Sequence, residues 1–77
     1  MIVEMTRGHI RAQYDGRSIT VEGEVLLGHP NFVIYADSIN AWDPPYAEEE
    51  FTAEDKESVL RRLKKDLDER GLTYEIE

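Results

Sequence analysis

The side chains best suited to chemistry in this sequence are two histidines, three serines and a pair of glutamates, and their spacing argues against a reaction centre. His9 and His29 lie apart from any second ligand: the chain has no His-x-x-x-His, no cysteine and no Asp-x-Asp-x-Asp-Gly loop, the patterns that gather donors around zinc or calcium. Ser18, Ser38 and Ser58 would need a histidine and an acid to converge on one of them, and none sits in the Gly-x-Ser-x-Gly turn that exposes a nucleophile. Glu22 and Glu24 are two apart, so on a strand both carboxylates face one side. Such a pair can do acid–base work, but a solvated strand face produces the same spacing. No glycine-rich segment joins a strand to a helix to cradle phosphate. The residues predict no catalytic, cofactor or metal site and a protein that is not an enzyme.

Recognition is the other chemistry on offer. The only tryptophan, Trp42, lies in Asp37-Ser38-Ile39-Asn40-Ala41-Trp42-Asp43-Pro44-Pro45-Tyr46, beside a double proline and outside any helix or strand pattern. A large ring on a stiff loop either seals the open end of a core or grips a partner. The surroundings suit the second use: Asp43, Glu48, Glu49 and Glu50 follow closely, Tyr46 adds a second amphipathic ring, and aromatic anchors amid polar groups are typical of binding hot spots. Taken alone, Glu48-Glu49-Glu50 is a solvated loop feeding a helix. As an anchor, Trp42 is expected to weaken binding when truncated to alanine while leaving thermal stability unchanged; as a core seal, the reverse.

With 77 residues, the chain is long enough for one small domain, 1–77, near the size at which a single core leaves only about 3–5 kcal/mol of net stability. Cysteine is absent, so no disulfide supplements that core. Glu4 interrupts the apolar stretch a signal peptide would need, and no later run reaches membrane-spanning length, so a soluble, cytoplasmic protein is expected. A formal net charge of -8 repels phosphate backbones and anionic headgroups, which disfavours nucleic acid and membranes as partners and favours a basic protein. Excess acid also keeps small domains soluble without further meaning.

The elements that must position these groups read as β-β-β-β-α-β: an α+β domain, a mainly antiparallel sheet of about four or five strands with one C-terminal amphipathic helix on one face. Ile10, Ala12 and Tyr14 alternate with polar residues, as do Ile19 and Val21, and Asp15-Gly16 between them predicts a two-residue type I′ hairpin turn. Gly23 breaks the alternation before Glu24-Val25-Leu26-Leu27, so a bend, a bulge or a separate short strand is expected there. Phe32-Val33-Ile34-Tyr35 is apolar throughout and reads as a central strand. Thr52 with Asp55 predicts a capped helix start, Phe51 a staple onto its first turn, Val59, Leu60, Leu63 and Leu67 its buried stripe, and Gly71 its end. Glu57 with Arg61 and Asp66 with Arg70 are spaced as i,i+4 ion pairs. Leu72, Tyr74 and Ile76 alternate in a closing strand.

Thr6-Arg7-Gly8, the Tyr14-Asp15-Gly16-Arg17 hairpin, Ile19-Thr20-Val21-Glu22-Gly23-Glu24, and Phe32-Val33-Ile34-Tyr35 leading to Asp37-Ser38-Ile39 and to Trp42 with Pro45 resemble the immunity protein 74 family of bacterial polymorphic toxin systems. The resemblance covers nearly the whole chain. It implies a protein that binds and neutralises a cognate toxin domain, brings no catalytic residues, and names no toxin. Joined to the acidic composition, it gives the expectation of stoichiometric occlusion of a basic toxin, with Trp42, Asp43, Tyr46, Glu48, Glu49 and Glu50 at the interface. The alternative is a non-enzymatic structural or regulatory module acting as a homodimer through its sheet edge. A small enzyme built on Glu22 and Glu24 with a histidine would additionally require a concave site around the two carboxylates.

Overall fold

The computed structural model describes residues 1–77. Strands β1 (Ile2–Met5), β2 (His9–Tyr14), β3 (Arg17–Val25) and β4 (Phe32–Ile34) precede a single 3-10 turn (Ala36–Ser38), helix α1 (Ala53–Glu69) and strand β5 (Tyr74–Ile76). The sheet runs β1-β2-β3-β4-β5, antiparallel except for the parallel β4–β5 pair. A parallel neighbour cannot be reached by a tight turn, so the chain between β4 and β5 must cross over, and α1 is that crossover. This is the expected α+β arrangement with one helix on one face.

The hairpin forms as its sequence dictates. Asp15 and Gly16 both take positive φ, 54° and 80°, and the ladder pairs Tyr14 with Arg17 and His9 with Glu22. Beyond it, β3 runs unbroken to Val25, first pairing with β2 and then with β4. Of the alternatives at Gly23, none is realised as a break: Gly23 stays in phase with Ile19 and Val21 and is buried. The four strands before the helix are completed instead by Ile2–Met5, whose alternation is disguised by a register shift between Ile2 and Glu4.

The core lies between the sheet and α1. Ile10, Ala12, Tyr14, Ile19, Val21, Phe32 and Ile34 from the sheet meet Val59, Leu63 and Leu67 from the helix, with Ile39 closing one side. Each fully buried aliphatic side chain there contributes about 1.5–3 kcal/mol of burial free energy. The helix starts on a complete capping box, with Asp55 N–H donating to Thr52 Oγ1 at 3.1 Å and Thr52 N–H to Asp55 Oδ2 at 2.9 Å. It ends at Gly71, φ 72°.

Neither i,i+4 ion pair forms; for Asp66 and Arg70 the reason is that both have partners across the layers. Asp66 accepts the Tyr14 hydroxyl at 2.8 Å and faces the terminal ammonium at 3.5 Å. Arg70 donates to the Ile2 carbonyl at 3.0 Å, and Arg62 pairs with Asp15 at 2.8 Å. The helix is thus fastened to the β1–β2–β3 end of the sheet by polar contacts as well as by its apolar stripe.

Candidate functional site

The loop from Ala36 to Phe51 is organised by a residue the sequence did not single out, Arg17, at the exit of the hairpin turn. Its guanidinium lies 5.2 Å from the Tyr46 ring centroid and 5.9 Å from that of Trp42, and its Nη2 donates to Glu49 Oε1 at 2.7 Å. Asp43 fixes the loop to the same strand: its N–H donates to the Ser18 carbonyl at 2.9 Å and its carboxylate accepts the Thr20 hydroxyl at 3.0 Å. Pro44-Pro45 is a cis peptide, and Tyr46 N–H closes the turn onto the Asp43 carbonyl at 3.0 Å. Three of the six expected interface residues, Trp42, Tyr46 and Glu49, are therefore gathered around one arginine, and Asp43 is tied to the adjacent strand beside them. Glu48 and Glu50 are exposed, with Glu50 beside a polar hollow of about 150 Å³ that Trp42 and Arg17 also line.

Trp42 is half-buried. It packs against the core, and Phe51 meets it nearly edge-to-face, with centroids 5.3 Å apart and planes at 70°. Truncating it removes core contact as well as any contact with a partner, so Glu48 and Glu50, which make no such contact, are cleaner probes of the loop. No local signal marks Arg17, because its importance comes from residues 25 to 32 positions away in sequence.

One constellation with the form of a catalytic relay was also missed. Thr6 Oγ1 lies 3.1 Å from His9 Nδ1, and His9 Nε2 lies 2.9 Å from Glu4 Oε1, in the order hydroxyl, imidazole, carboxylate. The hydroxyl oxygen is already committed, however, since it accepts the backbone N–H groups of Gly8 at 3.3 Å and His9 at 3.2 Å. Those bonds occupy both lone pairs that an attack would use. The group pins the β1–β2 turn, and the hydrogen bond from His9, aided by Arg11, holds the Glu4 carboxyl below its ordinary value.

The remaining polar groups are similarly placed. His29 Nδ1 meets Thr73 Oγ1 at 3.1 Å, and Ser38 bridges the Glu22 N–H at 2.8 Å and the Tyr35 carbonyl at 2.7 Å. Glu22 and Glu24 open to solvent on the sheet face away from the helix, and Glu24 takes the Tyr35 hydroxyl at 3.2 Å. The largest hollow, about 830 Å³, is an open groove between α1 and β5 where Leu60 and Tyr74 are ringed by charges of both signs. No group of three or more His, Cys, Asp or Glu side chains is clustered to hold a metal ion. No helix is long and apolar enough to cross a membrane.

What the arrangement offers is a rigid, acidic, aromatic-bearing surface. Comparison with known proteins adds one decisive match: the family described as Immunity protein 74 matches residues 2–77. The chain belongs to the immunity protein 74 family. The match spans hairpin, loop, helix and closing strand together, so the resemblance read from the hairpin and the Trp42 segment holds for this immunity protein 74 chain as a whole. No curated protein and no solved structure gives a significant match to it.

Proposed function

We propose that this immunity protein 74 chain binds a cognate toxin domain of a bacterial polymorphic toxin system one-to-one and neutralises it by occlusion, in the cytoplasm, without chemistry of its own. The observation that carries this reading is membership of an immunity family over residues 2–77. The molecular surface supports it. Net charge of -8 favours a basic toxin, and an occluding inhibitor needs a complementary face in place of a pocket. Trp42, Tyr46 and Glu49, held by Arg17, and Asp43, held by Ser18 and Thr20, form a preorganised part of that face, with Glu48 and Glu50 adding free carboxylates beside it. Preorganisation lowers the ordering cost of association.

Edge-to-edge homodimerisation has less to draw on. The edge strand β1 has four residues and an irregular register, and the other edge, β5, has three residues, with Glu75 at its middle and Glu77 just after it.

The test is growth rescue combined with co-purification, expressing this chain with the C-terminal domain of the protein encoded beside it. Survival together with a one-to-one complex is expected, and combining Glu48→Lys with Glu50→Lys should weaken the complex without shifting the thermal midpoint. Continued toxicity with no complex would remove the inhibitor reading.

A further inference from the structure

The fold leaves six large apolar side chains exposed, and three of them share one corner: Val25 (49%), Tyr35 (38%) and Leu27 (103%). With Leu26 they line a hollow of about 670 Å³ in which only Arg7 and Glu24 carry charge. Leu27 is as exposed as in an open chain, so it contributes nothing to the core. Yet the Leu26–Asn31 loop that carries it is firmly built. Leu26 N–H donates to the Asn31 carbonyl at 2.9 Å, and the Asn31 side chain donates to the Gly28 carbonyl at 3.1 Å. Asn31 and Thr73 then exchange hydrogen bonds at 2.9 Å in both directions, tying the loop to the strand that follows the helix. A loop held this way fixes the backbone from which Leu27 projects, which lowers the ordering cost of using that side chain as an anchor.

The charge around the corner says what it meets. The outer sheet face beside it carries Glu22, Glu24 and Glu75, with Asp37 and Glu77 at its margin; Arg7 at the hollow and Arg11 on β2 are the bases on that side, so carboxylates outnumber cations there. The hydrogen bond to Glu24, together with its charge and that of Glu77, pushes the Tyr35 phenol above its ordinary ionisation range. A second copy of this chain would bring carboxylate against carboxylate here, whereas a cationic surface would be attracted. Tyr35 also borders the hollow that contains Trp42 and Asp43, so corner and Arg17-bound loop are two ends of one surface along β3.

We propose that Val25, Leu26, Leu27 and Tyr35 form the apolar anchor of the toxin interface, with Leu27 entering an apolar depression on a positively charged face of the toxin domain while Glu22 and Glu24 meet its basic side chains. This assignment rests on the inhibitor reading above and identifies the face that reading uses.

Titration calorimetry of the full chain against the C-terminal domain of the neighbouring protein, with Leu27→Asp and Leu27→Ala alongside, tests it. Because Leu27 has no packing role, both variants should keep the thermal midpoint of the native chain. Leu27→Ala should bind about thirtyfold more weakly and Leu27→Asp about a hundredfold, as expected of a central hot spot. If the native chain binds and both variants bind as tightly, the corner lies outside the interface and the inhibitor reading survives alone. If sedimentation shows the native chain self-associating, and Leu27→Asp abolishes that without loss of toxin affinity, the corner is a self-association face and the assignment is wrong. If the native chain does not bind, the inhibitor reading and this assignment fall together.

Discussion

Gly23 lies in the second half of β3 on the face toward the core, where an added methyl would run into the Phe32 ring and the Val33 carbonyl of the neighbouring strand. The ring therefore takes the place of a β3 side chain and lets the short strand β4 bury a phenylalanine against the central strand. One of the two contacts is backbone, so the clash cannot be relieved by turning the ring alone. Gly23→Ala is expected to cost about 1–3 kcal/mol, the usual range for overpacking a well-filled core. Gly8 is the internal control: it has open space around the position of a Cβ and no positive φ, so Gly8→Ala should stay within about 0.5 kcal/mol. Urea midpoints of the two variants measure the difference, and equal midpoints would mean that Phe32 does not occupy that space in solution. A glycine interrupting an alternating pattern announces a close approach or a bend, and the sequence cannot say which, because the ring that decides it arrives from another strand.

Between elements, the tie from Tyr14 on β2 to Asp66 on α1 links sheet and helix at a half-buried site. Burial first, and then the hydrogen bond to the Asp66 carboxylate, push the Tyr14 phenol well above its ordinary value of 10.0. An unfolded chain loses this proton near that value while the folded chain keeps it, so in alkali the unfolded state binds fewer protons. The contribution of Tyr14 to stability is therefore complete below the unfolded value and is lost as pH rises through the folded one. At neutral pH, Tyr14→Phe should cost about 1.5–3 kcal/mol, the net worth of a hydrogen bond to a charged group. The gap between native and variant should narrow on going from about pH 9 to about pH 11, because the variant lacks the titrating group. Denaturation across that range, showing a constant gap, would contradict the geometry. Nothing local in the sequence pairs residue 14 with residue 66; Asp66 reads instead as a partner for Arg70, one turn away. The same distinction separates what was legible from what was not. The Asp15-Gly16 turn, the Thr52–Asp55 box, the helical stripe and Gly71 are each specified within a few residues. The role of Ile2–Met5, hidden by its register shift, and the grip of Arg17 on Trp42, Tyr46 and Glu49 are fixed only by tertiary contact. Trp42 was legible as a special residue, but its packing against Phe51 and the core depended on where the loop folded back.

Over the whole molecule, charge is unevenly distributed. Residues 1–51 carry nine acids against three bases, the helical segment 52–70 carries six of each, and residues 71–77 add two acids. The negative field therefore issues from the sheet, loops and closing strand, while the outer helix face is balanced. A basic toxin approaching at random would be turned toward the sheet face, which raises the rate of encounter more than it strengthens the final contact. The association rate with the toxin domain should fall about tenfold or more between roughly 0.05 and 0.5 M salt, with little change in dissociation rate, since screening shortens the reach of exposed charges. Net charge alone would predict the same trend, so location needs its own comparison. Glu22→Lys and Glu69→Lys alter the total charge equally, one on the outer sheet face and the other on the helix. Glu22→Lys should slow association and flatten its salt dependence, while Glu69→Lys should leave both close to those of the native chain. Stopped-flow rates at low salt distinguish the cases: equal slowing by the two variants would assign the effect to total charge, and a salt-independent native rate would remove steering from the account altogether.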